Sequence, residues 1–283
     1  MRLLLFGATG FLGRHVAARA AGHDVVAVSR RPGAADLWLD PAEDPAGAAE
    51  ALRLVRPDVV VNCGGSVDGT PAELVEGNVT AVSRLVEAVR DRGCRLVHVG
   101  SAAEYGPVPE GVPVAETTCP QPAGIYGVTK LAGTALALTL PDAVVMRVFN
   151  PIGPGAPPAS LLGSALAQVT SGSREIRTGP LDTTRDYVDV RDVADAILAA
   201  AESTAHGVLN VGSGRPTSSR TLLHTLLSLL PGRTLAETSE GSPRSPSVPW
   251  QQADLTTTTT TLPWKPTTPL PTTLRDLLRE AGC

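Results

Sequence analysis

Four cysteines, Cys63, Cys94, Cys119 and Cys283, are all that this chain of 283 residues carries, and none stands at a paired spacing. A disulfide framework is thereby excluded, and so is a structural metal, since no Cys/His cluster has ligand spacing. The same scarcity suits a reducing cytoplasm. Basic charge is thin as well: 24 Lys and Arg are scattered among 28 Asp and Glu for a net charge of −4, with no stripe to neutralise a phosphate backbone. Nucleic acid is excluded as a partner. Long apolar runs are missing, because the opening MRLLLF stops at Gly7, too short for a signal-peptide core or a bilayer span. The expectation is a cytoplasmic protein without a membrane segment, and a hydrophobic content of 42% suffices for a packed core.

Short apolar runs do recur, separated by stretches of helical periodicity. They are RLLLF (2–6), DVVAV (24–28), DVVVN (58–62), RLVHV (95–99), AVVMRVF (143–149) and GVLNV (207–211), with a weaker DLWLD (36–40). Alternation of this kind predicts parallel strands joined by crossover helices. Right-handed crossovers then build an α/β fold, a Rossmann-type doubly wound parallel sheet. After Asn150 the pattern degrades: NPIGPGAPPAS is rich in Pro and Gly, and Pro231 to Pro271 is loaded with Pro, Ser and Thr, including the run Thr256 to Thr261. Leu274, Leu277 and Leu278 nevertheless share a helical face, so a smaller loop-rich C-terminal substrate domain is expected over a flexible tail. The division expected is a dinucleotide-binding domain over 1–150, with 186–214 returning to it, and a substrate domain from 151–185 and 215–283.

Directly after the first run comes GATGFLG, opening a helix. Glycines at 7, 10 and 13 let the backbone turn tightly and approach a pyrophosphate, while a helix N-terminus offers unpaired N–H groups. Gly7, Thr9, Gly10, Phe11, Leu12 and Gly13 are therefore candidate dinucleotide contacts. The second run ends in Ser29, Arg30 and Arg31, where a carboxylate would hold the ribose 2′-OH of NAD. A planar Arg fork instead suits a 2′-phosphate, so the expected cofactor is NADP (NADPH) rather than NAD, with Arg14 in an assisting place.

In IYGVTK, Tyr126 precedes Lys130 by one helical turn, a spacing that serves proton transfer or simple packing equally well. Together with GATGFLG, this segment resembles the extended short-chain dehydrogenase/reductases, the family of nucleotide-sugar epimerases, dehydratases and ketoreductases. LDPAED, VVVNCGG, EGNVTAV, HVGSAAEYG, RVFNPIGPG, TRDYVDVRDVADA, LNVGSG and ADLTTTTTTLPWKP match in order along nearly the whole chain, with Gly64 and Gly65 replacing the usual two alanines. The resemblance implies a catalytic Ser101, Tyr126 and Lys130, with the last two also touching the cofactor, as do Asp40 at the adenine and the helix asparagine Asn78. It further places Asn150, Arg185 and Arg244 at a nucleotide-sugar substrate, beside Ser101 and Ala102. The bland alternative for Arg185 is an ion pair to Asp186 or Asp189. Ser247, where an aspartate is usual, weakens the diphosphate role of Arg244.

Carbonyl reduction needs a hydride from one side and a proton for the developing alkoxide. A free phenol has a pKa of about 10, so Lys130 and the oxidised nicotinamide would have to pull it down, with Ser101 donating to the substrate oxygen. The family's dehydratases carry Asp-Glu after the hydroxyl residue; Ala102 and Ala103 stand here, and Glu104 comes one place late, on the other face. The resulting expectation is NADPH-dependent reduction of a keto group on a nucleotide-linked deoxysugar. Alternatives are a nucleotide-sugar 4-epimerase with retained NAD, a reductase of a non-sugar ketone or aldehyde, and a non-catalytic NADP-binding regulator. Between Leu131 and Leu140 no residue is charged, and the family often dimerises through this helix and the one bearing Asn78, so a homodimer is expected.

Overall fold

A computed structural model of the chain describes residues 1–239 and 248–283. Seven parallel strands form the main sheet in the order Gly207–Val211, Val144–Val148, Arg95–Ser101, Val59–Asn62, Arg2–Phe6, Asp24–Ser29 and Leu37–Trp38. All of the expected apolar runs are in it. Because side chains alternate across a strand, Leu3 and Leu5 face one hydrophobic layer while Leu4 and Phe6 face the other. Helices Phe11–Arg19 and Val190–Glu202 cover the first layer; Gly47–Val55, Ala81–Arg92 and Ile125–Ala137 cover the second. With both faces buried, the strands read as continuous Val and Leu runs rather than alternating ones.

Strand order reverses between Arg2–Phe6 and Val59–Asn62, and the crevice beyond the carboxyl ends of such a pair is where α/β sheets take ligands. Beyond Asn150 a separate core gathers helices Leu161–Thr170, Ser219–Ser228 and Leu270–Glu280, with Leu274, Leu277 and Leu278 all inward as their spacing requires. The strands Asn150–Ile152, Thr184–Asp189 and Pro216–Ser218 make a small sheet between the Asn150 loop and this core. The threonine run forms the helix Thr256–Thr261 despite the low helix propensity of Thr. Buried Thr258 explains it, donating to the Asn210 carbonyl at 2.7 Å, while Thr259 and Thr260 bond back to the preceding turn. Leu262 and Trp264, just beyond, pack into the first layer of the main sheet. The segment that follows is bolted down by Asp192, which accepts from the amides and hydroxyls of both Thr267 and Thr268.

Candidate active site

The Gly-rich turn sits at the sheet's reversal point. Gly7 has φ +73, and a Cβ there would lie 2.6 Å from the Gly64 amide nitrogen. Only glycine fits such a position. A Cβ at Gly13 would lie 2.1 Å from the Gly7 carbonyl, so the helix Phe11–Arg19 starts tight against the turn. No side chain caps that helix at Gly10. Its first N–H groups therefore remain available to an anion. The cradle fits a dinucleotide pyrophosphate: it is a space that side chains would fill and that glycines keep open.

Gly7, Thr9, Gly10, Ser29, Arg30, Arg31 and Asp40 line one cleft together with Gly64 and Gly65. Ser29 is buried, with its Oγ 2.9 Å from Thr9 Oγ1, and it accepts from the Arg31 amide at 3.0 Å. This serine shapes the turn and leaves the two arginines to face outward. Arg30 stands 3.7 Å from the Asp40 carboxylate, a long and solvent-screened pair. Phe11 and Leu12 occupy the first turn of the helix, Leu12 packing on the sheet. Arg14 departs from its expected assisting place. Its guanidinium donates to the Pro154 carbonyl at 2.9 Å, beside a His15 Nε2 contact at 3.0 Å to the same oxygen, and lies where a Cβ of Gly155 would be.

The catalytic candidates converge from two neighbouring elements. Ser101 ends its strand and caps the short turn Ala102–Glu104, its Oγ accepting from the Ala103 amide at 3.2 Å. The helix Ile125–Ala137, which carries Tyr126 and Lys130, passes directly over this turn. Gly127 permits the contact, for a Cβ there would be 2.5 Å from the Ala103 carbonyl. Half-buried Tyr126 and buried Lys130 are thus brought to the same strand end as Ser101. Lys130 Nζ donates to the Val99 carbonyl at 2.6 Å. Burial pulls its pKa below the ordinary lysine value, opposed by Glu104 and then Cys63. Burial also raises the Cys63 thiol to about 12, leaving it an inert neighbour.

Beneath Lys130 lies His98, fully buried and held neutral chiefly by desolvation and further by the lysine charge. Its Nδ1 is 3.1 Å from the Asn62 amide nitrogen. Asn78, expected near the cofactor, spends its side chain otherwise. It sits in a π-helical turn, Glu76–Thr80, accepting from the Ser66 amide at 2.9 Å and donating to the Ser66 carbonyl and Thr129 Oγ1 at 2.8 and 3.1 Å. The residue is a bolt between the loop after the fourth strand and the catalytic helix. Gly65 makes room for it: its φ is +147, and a Cβ would lie 2.7 Å from Asn78 Oδ1. Of the two glycines that replace alanines, Gly65 has this physical reason.

On the substrate side, Asn150 donates to the Asp186 carbonyl at 3.3 Å, and half-buried Arg185 donates to the Thr184 carbonyl at 3.0 Å. Desolvation lowers the Arg185 pKa, with Tyr187 opposing. The two carboxylates considered as partners for Arg185 are otherwise engaged. Asp186 accepts from Ser213, Gly214 and Ala253, and Asp189 from Arg191 and Thr273. Ala102 is 4% exposed and packs with Tyr105 and Phe149, so its methyl group is buried in that cluster. Arg244 and Ser247 lie outside the described residues. Among the described residues no group of His, Cys, Asp and Glu could hold a metal ion, and no helix is long and apolar enough to cross a membrane.

Residues 3–212 match the model of the NAD-dependent epimerase/dehydratase family. The chain belongs to that family. A dTDP-6-deoxy-L-talose 4-dehydrogenase (NAD(P)(+)) of Kitasatospora kifunensis is 34% identical, the match covering 99% of this chain and 94% of that one. Among solved structures, RMD from Pseudomonas aeruginosa complexed with NADPH superposes with a TM-score of 0.87 at 25% identity, over 99% of this chain and 98% of that one. MoeE5 in complex with UDP-glucuronic acid and NAD gives 0.88 at 27%, over 100% and 99%. Family membership makes the cleft at the reversal point a nicotinamide-dinucleotide site.

Two buried side chains that hold the turn after Ser101 have little local signal. Glu104 is fully buried and paired with Arg147, its Oε2 2.7 Å from the guanidinium Nε. The segment Ala102–Glu104 is a 3-10 turn rather than the strand-like register expected, and it is this turn that carries the carboxylate inward. Gln251 donates from its buried amide to the Ala102 and Gly106 carbonyls at 3.0 and 3.2 Å, closing the Ser101 turn from outside. Gly100 and Gly127, each too crowded for a side chain, were the signals within HVGSAAEYG and IYGVTK that these segments pack closely.

Proposed function

We propose that the protein is an NADPH-dependent reductase of a keto group on a nucleotide-linked deoxysugar, acting in the manner of a 4-ketoreductase. The observation that carries this reading is the end of the second strand. There Arg30 and Arg31 line the cleft with Ser29, and no carboxylate stands where a ribose 2′-OH would be held. NADPH, when bound, supplies the hydride. Tyr126 donates the proton to the developing alkoxide, Ser101 donates a hydrogen bond to the same oxygen, and Lys130 grips the nicotinamide ribose while its charge strengthens the phenol as an acid. Ala102 and Ala103 offer no second acid or base, so elimination of water has no catalyst here. Asn150 stands at the mouth of the sugar pocket and Arg185 takes the diphosphate, with the core around Leu274 enclosing the substrate side. The relative from Kitasatospora supports this assignment, since its name describes hydride transfer at position 4 of a dTDP-linked deoxysugar with either cofactor.

Following NADPH oxidation against dTDP-, GDP- and UDP-linked 4-keto-6-deoxyhexoses tests the reading. Arg30→Ala with Arg31→Ala should raise KM for NADPH at least tenfold, about the worth of a lost charge-assisted hydrogen bond, and leave KM for NADH unchanged. Protein purified with tightly held NAD, inert toward keto sugars but interconverting hydroxyl epimers, would overturn it in favour of the epimerase. A twofold homodimer is part of the same proposal. Ile125, Val128 and Leu138, between 39% and 48% exposed, leave the outward face of the catalytic helix apolar.

A further inference from the structure

Glu104 does something that its chain position hides. It belongs to the turn behind Ser101, and a Cβ at Gly100 would come within 2.7 Å of its Oε1, so the glycine is what lets the carboxylate fold back beneath the strand end. Oε1 accepts from the Ser101 backbone N–H at 2.8 Å and from the Thr134 hydroxyl at 3.0 Å. Thr134 stands one turn beyond Lys130 and two beyond Tyr126 on the same helix. A single oxygen atom therefore ties the strand end bearing one catalytic candidate to the helix bearing the other two. Oε2 takes the Arg147 Nε–H, and Arg147 in turn lies over the Tyr105 ring at 4.5 Å. Both partners of the pair are buried, at 0% and 4% exposure. Stability alone gives little reason for such a pair, because apolar residues of equal volume are commonly as stable.

We propose that Glu104 is a positioning residue whose carboxylate sets the distance between Ser101 and the Tyr126–Lys130 helix face through Oε1, with Arg147 present to neutralise it. The inference rests on the reductase reading for its turnover assay, but its geometric content is independent of the substrate. A shift of about 1 Å between reacting groups can cost on the order of a hundredfold in rate.

Two charge-balanced double variants isolate the grip from the charge. Glu104→Gln with Arg147→Met keeps a carbonyl acceptor for Ser101 and Thr134 and removes both charges of the pair, leaving Lys130 as the buried charge nearby. Glu104→Ala with Arg147→Met is equally neutral and lacks the acceptor. Both variants lose the same Glu104 charge near Lys130, so the comparison is between them. The expectation is that kcat of the Gln variant exceeds that of the Ala variant by about tenfold, with KM for NADPH and for the keto sugar within about threefold of each other. Equal kcat in the two variants, per folded molecule, would overturn the proposal, because a merely structural pair would not distinguish them. Amide hydrogen exchange at Ser101 gives a second readout free of turnover: protection kept in the Gln variant and lost in the Ala variant supports the grip, and equal protection in both overturns it. A wild-type enzyme that reduces no keto sugar would sink the reductase reading alone, and the exchange comparison would then decide the role of Glu104.

Discussion

Lys130 is one of two lysines in the chain, and it is the buried one. An ammonium at that depth depends on its neighbours, and Glu104 is the one that favours its charged form. In the proposed reductase the phenol one turn away exchanges a proton with substrate, so Tyr126→Phe should lower kcat by about a hundredfold to ten-thousandfold. Its NADPH affinity should stay within about twofold, checked by fluorescence titration, because the lost hydroxyl serves the reacting oxygen. His98 yields a prediction about stability. Its folded ring is held neutral, well below the ordinary value of 6.5, whereas the unfolded chain takes up a proton there. Stability is therefore full above that value and is lost as pH falls below it. Urea unfolding should show wild type losing about 1.4 kcal/mol more than His98→Phe between about pH 7.5 and about pH 5.5. That Ser101, Tyr126 and Lys130 come to one strand end was legible because their segments are local. The destinations of Arg14 and Asn78 were not, since each side chain ends on a loop or helix fixed only by the tertiary path.

Elements rather than residues explain why the motifs carry glycine where they do. Gly127 sits between Tyr126 and Lys130 for a steric reason, the helix lying on the Ala103 carbonyl. Gly127→Ala would gain helix propensity of about 1 kcal/mol and lose more by overpacking against backbone, for a net cost of about 1–2 kcal/mol. Because the helix must lift from the Ser101 turn, kcat should fall at least tenfold while the melting temperature drops by only a few degrees, about 2–4 °C per kcal/mol for a chain of this size. Unchanged kcat would show that the turn and helix move together. Strands were the most readable elements, since runs of Val and Leu bounded by Gly, Asn or Ser permit few other structures. The threonine helix was the least readable: nothing in TTTTTT states that Asn210 offers a buried carbonyl to the third of them.

At the scale of the molecule, the two layers about the main sheet and the further core around Leu274 were foreshadowed by hydrophobic patterning, whereas the return of Leu262 and Trp264 to the main sheet was not. That return depends on Asp192, a residue of RDVADA whose partners come more than seventy positions later. The outward apolar face of the catalytic helix makes a prediction about assembly. Wild type should run at twice the chain mass of 29.2 kDa by light scattering. Val128→Glu, placing a charge in the covered patch, should release monomer at micromolar concentration, since an unpaired charge costs several kcal/mol to bury. A wild-type monomer would refute the dimer.

The grip of Gln251 on the Ala102 and Gly106 carbonyls has a consequence for synthesis. The cleft at the Gly-rich turn is lined by residues from Phe6 to Leu85, early in the polypeptide. The turn behind Ser101 is finished only by a side chain 149 residues beyond Ala102. Folding on the ribosome proceeds from the N-terminus, so a nascent chain gains the means to hold cofactor long before it can orient a carbonyl against it. In the proposed reductase, the donor and acceptor sites would thus become competent at different times, and an arrested chain ending before residue 251 should capture dinucleotide without turning it over.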